Sequence, residues 1–229
     1  VYLEIHRSTN GGNSSQVIAS NAMINDSANF IAPFTLDPNN ENRMLGGARQ
    51  LWVSDNVKAG TPTWASRKGN NPGDSAISAI AVATGNSDII YVGHNDGSIY
   101  KTSDGTLASP SWSQVATNAM PQRTVLRIAV DPLNTDIVYA SFKGYNSNNL
   151  WKSINGGASW ASASGSGLNG IPPAPIRGIA IHQEISGYVY VGTEVGVFTS
   201  EDGGSTWSIE NDGPANVSVD ELVWGDSNT

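Results

Sequence analysis

Three acidic side chains are the residues of this sequence that could carry out a reaction. Glu194 lies in a short loop between two apolar segments, Asp96 lies in the corresponding loop of an earlier pair, and Glu221 stands near the C-terminal end. Hydrolysis of a glycosidic bond needs two carboxyl groups, about 5–5.5 Å or about 6.5–9.5 Å apart across the sugar. Glu194 with Asp96 or Glu221 is therefore a candidate catalytic pair, and the simpler interpretation makes all three solvated loop acids.

A second set of side chains could bind a ligand without reacting with it. Tyr145 lies in the longest polar loop, Phe142–Asn149, where an exposed ring could contact a ligand or a partner. His94 and Arg49 stand in the corresponding loops of other segments, and Arg177 lies just before an apolar segment. We expect Tyr145, His94, Arg177 and Arg49 to be ligand-binding candidates.

Other kinds of chemistry have little support in the residues. The protein has no cysteine, which excludes disulfides and thiolate metal sites. Its three histidines, His6, His94 and His182, lack the spacing of metal ligands. The sequence also has no phosphate-binding loop, nucleophile elbow or dinucleotide fingerprint. We therefore expect neither a metal nor a cofactor.

Composition and charge restrict the class of partner. The 229 residues carry a formal net charge of −8, and such a surface repels the phosphates of nucleic acids. No basic cluster would attract an anionic membrane, and no apolar run approaches the ~18 residues of a membrane span. We expect neither nucleic-acid nor membrane binding. An acidic sequence rich in Asn, Gly and Ser and poor in Lys favours an extracellular or periplasmic location.

A glycine-rich turn recurs along the whole sequence. Its lead residues are spaced by 46, 48, 51 and 47 positions, which is the sign of an internal repeat. The clearest copies are Ser153–Trp160 and Ser200–Trp207, and the other three are degenerate. We call these five segments the repeat turns. They are led by Ser8, Ser54, Thr102, Ser153 and Ser200, and their third residues are Asn10, Asn56, Asp104, Asn155 and Asp202.

The repeat turns resemble the Asp-box, or bacterial neuraminidase repeat, whose pattern is S-x-D-x-G-x-T-W. That repeat occurs in β-propellers of sialidases, xyloglucanases and sortilin-like receptors. The resemblance implies a structural role for the third residue of each turn and for Trp160 and Trp207. It also bears on Glu194, because Val191–Gly196 is similar to the xyloglucanase segment in which a catalytic Asp precedes a Gly-containing turn. The arginine pattern of sialidases is absent.

Apolar segments around each repeat turn predict four short strands per repeat. The inner strand of one repeat is Ile128–Val130, and its relatives recur before each later turn. We therefore predict an all-β fold, a propeller of about five four-stranded antiparallel blades forming one domain over residues 1–229. The last blade would combine N- and C-terminal strands and lack one strand, because only six residues separate Tyr2 from Ser8. A segment of a longer propeller is the other interpretation.

The sequence favours a binding function over a catalytic one. We expect a non-catalytic propeller, a monomer and a module of a larger exported protein, that recognises a glycan or a protein partner on its axial face. The alternative is a glycoside hydrolase-like domain acting on a β-glucan or a related polysaccharide.

Overall fold

The computed structural model describes residues 2–20, 24–69, 75–117, 119–209 and 217–224, and these residues form an all-β structure. A single 3₁₀ turn, Gly167–Asn169, joins two strands, and no helix in the described part is long and apolar enough to cross a membrane. The strands are β1 Ile5–Arg7, β2 Gln16–Ala19, β3 Phe34–Asp37, β4 Asn40–Gly47, β5 Leu51–Ser54, β6 Ala65–Lys68, β7 Ile77–Ala83, β8 Asn86–His94, β9 Ile99–Thr102, β10 Ser113–Gln114, β11 Val125–Val130, β12 Val138–Phe142, β13 Leu150–Ser153, β14 Ala161–Ser162, β15 Ile176–Ile181, β16 Val189–Thr193, β17 Gly196–Ser200 and β18 Ser208–Ile209.

These strands form five sheets in which neighbouring strands follow one another in sequence. The sheet β1-β2 is blade 1, and four-stranded sheets form blade 2 (β3 to β6), blade 3 (β7 to β10), blade 4 (β11 to β14) and blade 5 (β15 to β18). Pairing within the blades is antiparallel. The fold is therefore the predicted β-propeller of four-stranded blades.

The protein divides into two compact units. One comprises Val1–Asn95 with Tyr100–Ser113, and the other comprises Asp96–Ile99 with Gln114–Thr229. In the first unit, β4, β5, β7 and β8 contribute Leu45, Val53, Ile77 and Ile90 to a buried cluster. A larger cluster in the second unit contains Ile179, Val191, Phe198 and Trp207. The single domain over residues 1–229 stays a prediction.

The repeat turns close on themselves through the side chains that the sequence singles out. In all five turns the lead hydroxyl donates to the side-chain oxygen of the third residue, at 2.5–3.1 Å. In the last turn, Asp202 also accepts from the backbone amides of Ser205 and Thr206, both at 2.9 Å. Gly203 and Gly204 have φ of 72° and 96°, which explains the glycine pair.

The tryptophans that follow the turns bind the neighbouring blade. Trp207 is buried and its indole N–H donates to the Ala163 carbonyl at 2.9 Å. Trp160 is half-buried and donates to the Val115 carbonyl at 2.9 Å in the same way. These contacts place both tryptophans against the neighbouring blade, and their structural role stays a prediction.

The N- and C-terminal segments lie in different units. β1 pairs with β2 in the first unit. The described part of the C-terminal segment, residues 217–224, has no assigned strand, and it contacts β15 and β16 in the second unit. There the Val219 amide donates to the Thr193 carbonyl at 2.9 Å. A blade shared by the two ends stays a prediction.

Candidate functional site

Glu194 projects from a tight turn in the second unit. The turn joins β16 to β17, and its ends are closed by a bond from the Thr193 hydroxyl to the Gly196 carbonyl, at 2.9 Å. The Val195 amide donates back to the same hydroxyl at 3.1 Å. Gly196 has φ of 125°, a conformation that residues other than glycine rarely adopt. The turn therefore holds Glu194 in a fixed position at the end of blade 5.

Two side chains from different blades bind the carboxylate of Glu194. The Tyr145 hydroxyl, from the loop between β12 and β13, donates to Oε2 at 2.5 Å. The Arg177 guanidinium, at the start of β15, donates to Oε1 at 2.6 Å. Both carboxylate oxygens are thus occupied by donors. We call Tyr145, Arg177 and Glu194, with the adjacent Asp220, the carboxylate cluster.

The electrostatics of the cluster keep Glu194 ionised. The hydrogen bond from Tyr145, followed by that from Arg177, lowers the pKa of Glu194 below its ordinary value. The same bond, together with the charge of Glu194, raises the pKa of Tyr145. Bonding to Glu194 also raises the pKa of Arg177. At neutral pH the cluster therefore contains an anionic carboxylate, a neutral phenol and a cationic guanidinium.

The side chains of Asp220 and Glu221 are mostly exposed, and each pairs with an arginine. Arg177 Nε lies 3.3 Å from Asp220 Oδ1, so one guanidinium bridges the carboxylates of Glu194 and Asp220. Arg127 Nη2 lies 3.6 Å from Glu221 Oε1. Glu221 thus pairs with Arg127, and the acid that shares a partner with Glu194 is Asp220.

Sequence reasoning misses part of this arrangement. Asp220 and Arg127 are not among the candidate site residues that the sequence predicts, although Asp220 is the immediate neighbour of Glu221. The position of Arg127 within an apolar inner strand is the available signal. Its Nε donates to the Arg177 carbonyl at 3.1 Å, which ties β11 to β15 beside the cluster.

The structure places three further candidate residues, His94, Asp96 and Arg49, on other strands and loops. His94 is 0% exposed in the first unit, where its Nδ1 lies 2.7 Å from the Ser75 carbonyl, so its ring is not accessible to a surface ligand. Asp96 lies in a turn that it closes itself, with Oδ1 accepting from the Ser98 amide at 2.9 Å. Arg49 is exposed in the loop between β4 and β5. The roles of Asp96 and Arg49 stay predictions.

A metal site has no cluster of ligands to build on in the described ranges. Across residues 2–20, 24–69, 75–117, 119–209 and 217–224, no three His, Cys, Asp or Glu side chains lie close enough to hold an ion together. The two acids of the carboxylate cluster are instead paired with one cation, Arg177.

Comparison with known proteins supports the fold. No protein-family model and no curated protein matches the sequence. Among solved structures, an ancestral GH74 enzyme has a TM-score of 0.64 and 21% identity, over 81% of this chain and 24% of its own. The GH74 xyloglucanase from Xanthomonas campestris has a TM-score of 0.60 and 15% identity, over 83% of this chain and 31% of its own. YCF48 from Cyanidioschyzon merolae has a TM-score of 0.60 and 16% identity, over 86% of this chain and 62% of its own.

The coverage and the sequence identity of these matches restrict them to evidence about the fold. The protein spans about a quarter to a third of the length of the two GH74 enzymes, and every identity is below a quarter. Such a likeness concerns the fold and not the activity. It shows that this protein adopts the β-propeller fold of these proteins.

Proposed function

We propose that the protein is a non-catalytic binding propeller of the Asp-box type that recognises a glycan or a protein partner through the carboxylate cluster. One observation carries this proposal. Tyr145 and Arg177 already bind both oxygens of Glu194, while Tyr145 itself is 71% exposed. An exposed ring held in place by an ionised carboxylate is a preformed contact surface.

The geometry of the cluster suits recognition. Preorganised side chains lose little conformational entropy when a ligand binds, which favours affinity. An aromatic ring offers an apolar face to a sugar or to an apolar side chain. The mostly exposed carboxylates of Asp220 and Glu221 can accept hydrogen bonds from sugar hydroxyls or from donors of a protein. The Tyr145 ring thus offers apolar contact, and the carboxylates of Asp220 and Glu221 offer hydrogen-bond acceptors.

A glycoside hydrolase is the second candidate, because Glu194 and Asp220 flank one guanidinium as a pair of neighbouring carboxylates. Its general acid would need a raised pKa in order to hold a proton near neutral pH. The pKa of Glu194 is lowered instead, which favours binding over acid catalysis.

The remaining parts of the proposal rest on the repeat turns and on composition. The bonds from lead hydroxyl to third residue, present in all five turns, support the Asp-box part of the proposal. The acidic composition, rich in Asn, Gly and Ser and poor in Lys, supports export, and the proposal includes a monomeric module of a larger exported protein.

The proposal is tested by binding and hydrolysis assays on the same protein. The labelled protein is screened on a glycan array, and its activity is assayed on xyloglucan and other β-glucans. For any glycan that binds, we expect Tyr145→Ala to weaken affinity about tenfold, corresponding to about 1.4 kcal/mol. Tyr145→Phe keeps the ring and should lose less. Tyr2→Ala, at an exposed tyrosine of the first unit, is the matched control.

Each outcome discriminates between the candidates. Equal losses for Tyr145→Ala and Tyr2→Ala would contradict a site at the carboxylate cluster. Release of sugar products that disappears in Glu194→Gln would replace the binding proposal with the hydrolase. Absence of both glycan binding and hydrolysis would remove the glycan half of the proposal and leave a protein partner.

A further inference from the structure

We propose that Asn10 is a site of spontaneous deamidation, which converts the first repeat turn from its amide form to a carboxylate form. The backbone nitrogen of Gly11 attacks Cγ of Asn10 and forms a new bond to it, while the bond from Cγ to Nδ2 breaks and ammonia leaves. The resulting cyclic imide is opened by water to aspartate or isoaspartate. Water is the sole co-reactant, and a following glycine leaves the attacking nitrogen sterically open.

The sequence provides an internal control for this reaction. Asn10-Gly11-Gly12 and Asn155-Gly156-Gly157 are identical triplets at the same place in two repeat turns. Their side-chain bonds also match. Asn10 Oδ1 accepts from the Ser14 amide at 3.0 Å and Nδ2 donates to the Ser14 hydroxyl at 2.9 Å. Asn155 makes both bonds to Ser159 at 2.8 Å.

The attacking amides differ between the two turns. Gly156 is buried and its N–H donates to the Asp136 carbonyl at 2.9 Å. Gly11 is exposed, and no hydrogen bond from its amide is found within the described residues. An amide that must first lose a hydrogen bond and a packed environment reacts only after local opening. Asn10 should therefore react before Asn155.

The blade architecture explains this difference. In blades 3 to 5 the fourth residue of the repeat turn is a glycine. Its amide donates to a backbone carbonyl of the blade's second strand or of the turn before that strand. Gly105 donates to Asp88 at 3.0 Å, and Gly203 donates to Gly187 at 2.9 Å. Blade 1 has only β1 and β2 among the described residues, so no such carbonyl from that part of the protein reaches Gly11.

One of the two products already has a counterpart in the protein. Asp202 occupies the same turn position as a carboxylate and accepts from the amide and the hydroxyl of Thr206 at 2.9 and 2.6 Å. Aspartate at position 10 can accept from Ser14 in the same way, so the turn is retained with one more negative charge. Isoaspartate lengthens the backbone and separates Ser8 from its bond to the Gly12 amide.

The test follows both sites in one sample of the full-length protein. The protein is incubated at mildly alkaline pH with and without urea, digested at acidic pH, and analysed by mass spectrometry for the amide-to-carboxyl mass shift. In native buffer we expect Asn10 to convert about fivefold faster than Asn155, which is the factor that a net hydrogen bond of about 1 kcal/mol gives. In urea the identical triplets should convert at equal rates.

Two results would overturn the proposal. One is equal conversion of Asn10 and Asn155 in the native protein, and the other is faster conversion of Asn155. The variant Asn10→Asp tests the product directly, since it should fold with the same urea midpoint as the parent protein. A lower midpoint would show that the carboxylate form is not accommodated by the turn.

Discussion

Two blade junctions, one in each unit, fix the same backbone group by different means. In the first unit, Arg43 of blade 2 donates to the carbonyl of Gly105 in the repeat turn of blade 3, at 2.7 Å. In the second unit, Tyr139 and Lys152 of blade 4 donate to the carbonyl of Gly203 in the repeat turn of blade 5, at 3.1 and 3.2 Å. The two glycines occupy equivalent positions in the repeat.

The junction of the first unit depends on a buried ion pair. Arg43 and Asp37 side chains are 3% and 0% exposed, with Arg43 Nη1 2.9 Å from Asp37 Oδ2. Asp37 also accepts from the Ser87 hydroxyl of blade 3 at 3.0 Å. A buried charge is stable only while its partner remains, so this junction is sensitive to loss of either side chain.

The junction of the second unit uses a neutral donor beside a lysine. Burial raises the pKa of Tyr139, so its hydroxyl stays a protonated donor. Burial also lowers the pKa of Lys152, against the opposing influence of Asp131 and Asp202. Because two donors share one carbonyl, the loss of one leaves the acceptor bonded. The comparison shows that the glycine carbonyl of a repeat turn can depend on one charged donor or be bonded by two donors, either of which can be lost.

The largest expected effect is at the first junction. Arg43→Met should lower the free energy of unfolding by about 3–5 kcal/mol, because Asp37 is left as an uncompensated buried charge. Urea denaturation measures this loss. Arg43→Met combined with Asp37→Asn removes both charges and should recover part of the loss. A loss below about 1 kcal/mol in Arg43→Met would contradict the charged-junction account.

A smaller effect is expected at the second junction. Tyr139→Phe should cost about 1 kcal/mol, the net value of one hydrogen bond, because Lys152 still binds the Gly203 carbonyl. Lys152→Met should cost a similar amount. The double variant should lose more than the sum of the two, because the carbonyl is then unsatisfied. Strict additivity in urea denaturation would show that the donors are independent and not redundant.

The repeat turn that this junction holds should respond to pH. Hydrogen bonds from the hydroxyl and then the amide of Thr206 hold the pKa of Asp202 well below its ordinary value of about 3.9. A lowered folded-state pKa adds stability above the ordinary pKa, and this stability is lost as pH falls through the folded pKa. Urea midpoints should fall between about pH 4 and pH 2 in the parent protein, and less steeply in Asp202→Asn.

A matched pair of substitutions separates charge from turn closure. Asp202→Asn should keep the turn, because Asn155 closes its own turn by accepting from the Ser159 amide and donating to the Ser159 hydroxyl. Asp202→Ala removes the acceptor of the Ser205 and Thr206 amides and should cost about 1 kcal/mol at neutral pH. Equal losses in the two variants would mean that charge, and not hydrogen bonding, closes the turn.

Sequence patterns predict the structural features that recur in each repeat and miss the contacts that occur once. Periodic glycines and apolar segments predict the strands and the repeat turns, because the same local pattern of residues recurs in each repeat. The predicted inner strand Ile128–Val130 lies within β11, Val125–Val130. Tyr145 and Glu194 are singled out separately by the sequence. Their contact is not predictable, because it joins loops 49 residues apart.

The junction residues show the same limit. Arg43 occurs in one repeat, and its partners Asp37 and Gly105 lie 6 and 62 residues away. A residue that occurs once gives no periodic signal, and a contact between blades depends on tertiary packing. Sequence patterns therefore point to the two tryptophans and the turn residues, which recur, and overlook the buried ion pair, which does not.

The smallest expected effect concerns the more exposed counterpart of that pair. Arg177 and Glu194 repeat the Arg43–Asp37 chemistry at the surface, where water screens the charges, so Glu194→Gln should leave the urea midpoint at neutral pH nearly unchanged. The pKa of Glu194 itself is the sensitive measurement. Since the Tyr145 hydroxyl is the leading cause of its lowering, Tyr145→Phe should raise the carboxyl pKa in an NMR titration, while Tyr2→Phe should not. An unchanged pKa in Tyr145→Phe would assign the lowering to Arg177 alone and would leave Tyr145 as an exposed ring without an anchor.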